Sequence, residues 1–175
     1  MVAKNELTIR KMVYEDCDSI SSAFRLQNWD KLVEQYETYF QEQLDDKRLV
    51  LIAEYDGEFA GYLTIVWMSA YKYFWDNNIP EIADLNVLIK YRRRGIATEL
   101  MAEAESIVAQ DYDAVGIGVG LILDYGAAQR VYVKLGYMPD GFGASKHGRY
   151  LKYGDEVAAD DDLVLCFTKR LNTLR

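Results

Sequence analysis

Apolar residues along the chain keep two rhythms, alternation every second residue and recurrence every three to four, and the two interleave. Leu7 to Val13 alternates (Leu7, Ile9, then Met12/Val13) and predicts a first strand. Glu15-Asp16 opens an acidic helix start, after which Ile20, Ala23 and Phe24 share a helical face. Trp29, Leu32, Val33, Tyr36, Phe40 and Leu44 predict a second helix that stops in Asp45-Asp46-Lys47. Arg48–Tyr55 and Phe59–Met68 read as strands joined by Asp56-Gly57, a strong hairpin signal. Tyr71–Pro80 reads as an aromatic loop and Glu81–Ile89 as a strand.

Gly95–Gln110 is amphipathic, with Ile96, Leu100, Met101, Ala104, Ile107 and Val108 inward. Ala114–Leu121 is a glycine-interrupted strand. Ala127, Ala128, Val131, Tyr132 and Leu135 mark a helix face that Gly136 terminates, and Tyr137 opens another strand. A long Gly-, Lys- and Asp-rich loop and a last strand, Leu163–Lys169, complete the order β-α-α-β-β-β-α-β-α-β-β. That order implies an α/β (α+β) domain with helices on a mixed, mostly antiparallel sheet.

Composition narrows the class. The chain has 175 residues, half of them hydrophobic, with two prolines and neither repeat nor low-complexity linker, so a single domain over 1–175 is expected. MVAKNELTIR lacks the apolar core of a signal peptide, and no run approaches the roughly 20 apolar residues of a membrane span. Cys17 and Cys166 lack metal-ligand spacing and suit reduced thiols in a cytoplasmic protein. A net charge of −8 argues against nucleic acid as a partner and suits a cationic one.

The most informative stretch is Val87-Leu-Ile-Lys-Tyr-Arg92-Arg93-Arg94-Gly95-Ile96-Ala97-Thr98. A strand ends, a basic turn with one glycine follows, and a helix begins at once. The unpaired N–H groups and positive dipole end of such a start attract an anion. Gly95 lets a bulky phosphate approach the backbone, and Ala97 keeps the first turn slim. The turn has neither a P-loop pattern nor a dinucleotide fingerprint, and a pyrophosphate is its natural occupant. Taken alone, it also fits a solvated basic turn that only caps a helix.

Val87-x4-Arg92-x-x-Gly95-x-Ala97 resembles the acetyl-CoA pyrophosphate signature of the GNAT acetyltransferase superfamily, V-x4-[QR]-x-x-G-x-[GA]. Downstream, Ala128-Gln-Arg-Val131-Tyr132-Val-Lys134-Leu-Gly136-Tyr137 is similar to the A-x-x-L-Y-x-K-x-G-F segment of that family. The resemblance implies a GNAT fold over roughly residues 7–170, acetyl-CoA as cosubstrate, no metal, and an amine acceptor. It further implies that backbone amides of Arg93, Arg94, Gly95, Ile96 and Ala97, with Thr98, hold the pyrophosphate beside Arg92. Val87 and Ile89 would face the pantetheine arm, and an N–H near Val87 or Leu88 would polarise the thioester carbonyl. Ala128 falls in the cofactor segment, and Tyr132 matches the tyrosine that protonates the leaving thiolate. Many relatives carry Asn where this chain has Tyr125, three residues before Ala128, so that contact with the cofactor arm is not expected here.

An alkyl ammonium has a pKa of about 10.4 and is almost wholly charged at pH 7, so attack on a thioester requires a base or a water chain. Asp84, three residues before Val87, stands where polyamine-type relatives have an acid; Glu81, six before it, matches the base of histone-type relatives. Strand alternation puts the two on opposite faces unless a bulge intervenes, so at most one of them serves, with Asp84 preferred and neither as the remaining alternative. His147, in Ser-Lys-His-Gly-Arg, reads as an exposed loop residue. The Tyr71–Trp75 cluster suits an acceptor pocket or a contact between two copies of the chain. The acceptor class runs from cationic small molecules to protein amino groups. Two rival functions are a non-catalytic acetyl-CoA sensor and an enzyme that acetylates aminoacyl-tRNA, the latter disfavoured by the acidic charge.

Overall fold

A computed structural model describes residues 6–172. The described residues include eight strands: β1 Leu7–Lys11, β2 Arg48–Tyr55, β3 Glu58–Val66, β4 Glu81–Val87, β5 Ala114–Gly120, β6 Met138–Lys146, β7 Arg149–Tyr150 and β8 Leu163–Arg170. Five helices accompany them: α1 Asp16–Arg25, α2 Val33–Leu44, α3 Lys72–Asp76, α4 Ile96–Val108 and α5 Gly126–Lys134. The fold is thus mixed α/β and mostly antiparallel, β4 and β5 being a parallel pair.

The described residues form two compact units. One is built from the chain up to Trp67 together with Ala83–Ala104, the other from Met68–Ile82 and the chain from Glu105 on. In the first the strand order is β1-β2-β3-β4; in the second it is β4-β5-β8-β6-β7. Glu81 and Ile82 of β4 belong to the second unit and Ala83 onward to the first.

The first unit grows from the β2–β3 hairpin. Asp56 and Gly57 both take left-handed φ, 54° and 80°, the turn whose twist matches that of paired strands. α1 and α2 pack on each other and α2 on β2, burying Ile20, Phe24, Tyr36, Val50, Ile52 and Tyr62 in one core. Asp16 anchors the entry to α1: it accepts the Val13 N–H at 2.8 Å and both terminal nitrogens of Arg10 at 2.7 and 2.8 Å.

In the second unit, Tyr71, Phe74, Ile79 and Cys166 form one buried cluster. The unit's glycine-interrupted strand has a steric cause. A Cβ on Gly116 would stand 2.4 Å from the Phe74 ring, and one on Gly120 2.4 Å from the Tyr125 ring, so β5 is glycine where aromatics lie flat on it.

Two stretches expected as loop are ordered. Tyr71–Pro80 contains the helix α3, and the region after Tyr137 contains the β6–β7 hairpin. Left-handed Gly141 and Gly143 and a register shift between Pro139 and Ala144 hide the alternation of β6. His147, φ 49°, is exposed and forms the β6–β7 turn with Gly148, φ 73°. β4 ends at Val87, two residues before its predicted end, because Ile89–Tyr91 winds into a 3₁₀ turn.

Candidate active site

In the first unit β4 does not alternate strictly. Asp84 has φ 50°, a left-handed conformation inside a strand that short polar residues tolerate best.

The Asp84 carboxylate is closely surrounded. Oδ2 accepts from the Tyr62 hydroxyl at 2.6 Å, the Tyr39 hydroxyl at 3.0 Å and Gln35 Nε2 at 3.0 Å. Oδ1 accepts from Asn86 Nδ2 at 2.6 Å and faces Lys31 Nζ at 3.4 Å. Burial, followed by the Asp84 charge, pushes Tyr39 up to about 12 and Tyr62 well above its ordinary value, so both hydroxyls keep their protons and donate. The Arg48 guanidinium lies 4.1 Å from the Tyr39 ring centre and donates to Thr64 Oγ1, which in turn donates to the Ala83 carbonyl.

Lys31 fills this site with a primary ammonium. Its Nζ lies 3.3 Å from the Tyr62 hydroxyl, 5.5 Å from the Phe24 ring centre and 5.8 Å from that of Tyr62. The fully buried Ser21 donates to the Lys31 carbonyl at 2.7 Å and fixes the backbone from which that side chain extends. No local pattern singles out these partners: Lys31 and Tyr39 fall within the predicted second helix and Tyr62 within a predicted strand.

Further along β4, the Leu88 N–H donates to the Ala60 carbonyl at 2.9 Å and the Ile89 N–H to Gln27 Oε1 at 2.9 Å. Leu88 N–H, one of two expected carbonyl-polarising donors, is therefore already engaged. The Leu88 side chain is buried in the core of the first unit, while Ile89 is 52% exposed. β3 and β4 approach closely, for a Cβ on Gly61 would stand 2.5 Å from the Asn86 carbonyl oxygen.

The basic turn is open. Arg93 has φ 61° and Gly95 φ 81°, and nothing lies within 4 Å of the place a Cβ on Gly95 would take. Arg92 is set by its Nε on the Val87 carbonyl at 3.3 Å and its guanidinium 5.3 Å from the Trp29 ring centre. Arg94 donates to the Tyr55 hydroxyl at 3.2 Å and stands 4.9 Å from that ring centre. Arg93 is exposed with no partner among the described residues. α4 starts immediately after, anchored by buried Ile96, with Ala97 half-buried and Thr98 exposed. Exposed first-turn amides beside a free guanidinium and an open glycine fit a pyrophosphate.

In the second unit, Glu81 Oε2 accepts from the buried Ser69 hydroxyl, whose oxygen accepts the Tyr71 N–H at 3.0 Å. Cys166 is pushed up to about 12, by burial first and the Glu81 charge second, so it stays a thiol near neutrality and is a poor nucleophile. Tyr132 on α5 is 6% exposed, and burial, with Tyr125 adding to it, pushes its hydroxyl up to about 12. That hydroxyl has no hydrogen-bond partner among the described residues. Ala128 is half-buried one turn earlier on the same helix. Tyr125 packs on Gly120 and bonds Asp161 at 3.1 Å. An open cavity of about 370 Å³, lined by Tyr73, Asn77, Asp111, Asp113 and Arg170 among others, includes one member of the aromatic Tyr71–Trp75 cluster and none of the predicted catalytic or cofactor-binding residues.

The model of the acetyltransferase (GNAT) family matches residues 14–137. An N-acetyltransferase from Staphylococcus aureus Mu50 is 14% identical, with a TM-score of 0.69 over 95% of this chain and 99% of that one. A ribosomal-protein-alanine N-acetyltransferase from Brucella melitensis is 18% identical, TM-score 0.68, over 94% and 99%. yncA from Salmonella typhimurium, solved with its cofactor acetyl-CoA, is 16% identical, TM-score 0.66, over 95% and 94%. At these identities the likeness is one of fold. Among curated proteins, none matches the chain by sequence. No helix among the described residues is long and apolar enough to cross a membrane.

Proposed function

Because the chain belongs to the GNAT acetyltransferase family, we propose that it transfers the acetyl group of acetyl-CoA to a primary amine by direct attack in a ternary complex. The observation that carries the choice of acceptor is the ammonium of Lys31, held by Asp84 between Phe24 and Tyr62. A carboxylate with aromatic faces recognises an alkyl ammonium by charge and cation–π attraction. Acetyl-CoA supplies an activated thioester; the rest is the work of this chain's own groups.

The amides of Arg93 to Ala97, with Thr98 and the guanidinium of Arg93, bind the pyrophosphate. The Val87 N–H is the remaining donor for the thioester oxygen, since that of Leu88 is committed to Ala60. Asp84 orients the incoming ammonium in the place of Lys31 and receives its proton, directly or through water. Glu81, with Ser69 on its carboxylate, is the alternative base. Tyr132 donates a hydrogen bond to the departing sulfur. Burial, which pushes its hydroxyl up to about 12, keeps it protonated near neutrality, so it has a proton to share with the sulfur or pass to it. The high pKa of Cys166 favours this direct route over an acyl-cysteine. Free buried thiols at Cys17 and Cys166 suit a reducing cytoplasm.

The test is an acceptor screen that follows free CoA thiol and identifies products by mass spectrometry. Turnover with cationic primary amines supports the proposal. Tight acetyl-CoA binding without turnover on any amine would instead establish a sensor.

A further inference from the structure

The Lys31 ammonium occupies a built site. Its chain is fixed through Ser21, its charge faces Asp84, and Phe24 and Tyr62 wall it, leaving the side chain 21% exposed. Of the six lysines with a described ion pair or cation–π contact, this is the one that faces the candidate base Asp84, three residues before Val87 on β4. A recognition site for the substrate's functional group that is already filled by the same functional group of the chain is a substrate site with an internal occupant.

We propose that Lys31 is itself an acceptor, acetylated at Nζ within its own molecule; this rests on the acetyltransferase reading above. Lys31 Nζ first gives up one proton to Asp84 or to water and so gains a lone pair. That pair attacks the thioester carbonyl carbon, the N–C bond forms, and the C–S bond breaks with its electrons on sulfur. The nitrogen loses a second proton as the amide forms. Acetyl-lysine, CoA thiol and one proton released to solvent account for every atom. The amide has no charge, so acetylation withdraws the cation from Asp84 and opens the carboxylate to an ammonium from outside. Preorganisation should make the step selective, because a nucleophile held at the reacting centre gains a large effective concentration over one free in solution.

The experiment incubates the purified chain with acetyl-CoA carrying an isotopically labelled acetyl group and maps label by peptide mass spectrometry. Lys47 and Lys72, whose side chains are 70% and 73% exposed, report uncatalysed surface acetylation. Lys31 should carry at least about tenfold more label than either, at a rate constant unchanged by dilution of the protein. Folded Asp84→Asn should lose the label at Lys31 and keep it at Lys47 and Lys72. Label at Lys31 no higher than at Lys47 and Lys72, from protein that acetylates an added amine, overturns self-acetylation and leaves the acetyltransferase reading in place. A rate constant that falls with dilution overturns the intramolecular step. Failure to bind acetyl-CoA at all overturns both readings together.

Discussion

The basic turn before α4 and the carboxylate cage on β4 lie a few residues apart in sequence and are opposite in state. The turn is open: Gly95 has free space beside it, and Arg93 has no partner among the described residues. The cage is full, with five donors around Asp84 and one of them the ammonium of the chain's own Lys31. An open basic turn leaves room for the pyrophosphate proposed to bind there. A filled site states only the functional group it accepts. The contrast explains why the cosubstrate can be argued from the turn while the acceptor is defined no further than an alkyl ammonium.

The largest effect that would break this comparison is at Gly95. Gly95→Glu should leave no measurable acetyl-CoA binding by calorimetry, a loss above about a thousandfold, because a carboxylate enters the anion site. The left-handed φ of 81° costs any side chain about 1–2 kcal/mol, so Gly95→Ala is the control. It should lose a little thermal stability and much less affinity. If folded Gly95→Glu binds as well as the parent, the turn is not the pyrophosphate site.

Next in size is Tyr132→Phe, which keeps the ring packed and removes the hydroxyl. Turnover should fall about a hundredfold with acetyl-CoA affinity unchanged, as for loss of one donor to developing negative charge. A loss below about threefold, with chemistry limiting the rate, would reduce Tyr132 to a core residue. The sign of its pKa shift makes a second check. A hydroxyl raised from about 10 to about 12 favours the folded state fully below pH 10 and loses that preference as pH rises through 12. Activity should therefore show no loss from Tyr132 ionisation until well above pH 10.

The two carboxylates on β4 come third. Asp84→Asn should lower kcat/KM about ten- to a hundredfold near pH 7, and the defect should shrink as pH approaches about 10, where the amine is neutral unaided. Glu81→Gln should show a smaller loss without that rescue. The reverse pattern in pH–rate profiles would move the base to Glu81, and rescue in neither would assign proton removal to water.

How much of this could be read in advance depended on how local each cause is. The hairpin turn at Asp56-Gly57 and the turn at Gly95 are demands of a few consecutive backbone angles, and the residues that meet them stand side by side in the chain. The inward face of α4 was equally legible, since Leu100, Met101, Ala104 and Val108 are all fully buried. The cage is different. Tyr62, Tyr39, Gln35 and Lys31 reach Asp84 from 22, 45, 49 and 53 residues away, and no periodicity records such a meeting. α3 was missed because five residues are too few for a helical rhythm to show; the strand opening at Tyr137 was expected, but the length of β6 and its return as β7 were not, because its glycines interrupt the alternation.

The smallest effect tests whether the three arginines of the turn differ as their surroundings suggest. Arg94 is held by Tyr55 and Arg92 by Trp29 and the Val87 carbonyl, so each also supports the fold. Arg93 supports nothing among the described residues, and its charge is available only to a ligand. Arg93→Ala should therefore weaken acetyl-CoA binding by about three- to tenfold, the effect of one solvent-exposed charge on an anion, with no change in Tm. The difference should fade as salt is raised toward 1 M, where the screening length shrinks to about 3 Å. Arg94→Ala should instead lower Tm slightly, because a cation–π contact worth about 0.5–1 kcal/mol at an exposed ring is lost with the charge. Equal losses of affinity and stability in the two variants would mean that the turn acts as a diffuse positive patch. A loss of affinity confined to Arg93→Ala would mark it as the one side chain of the turn left uncommitted by the fold.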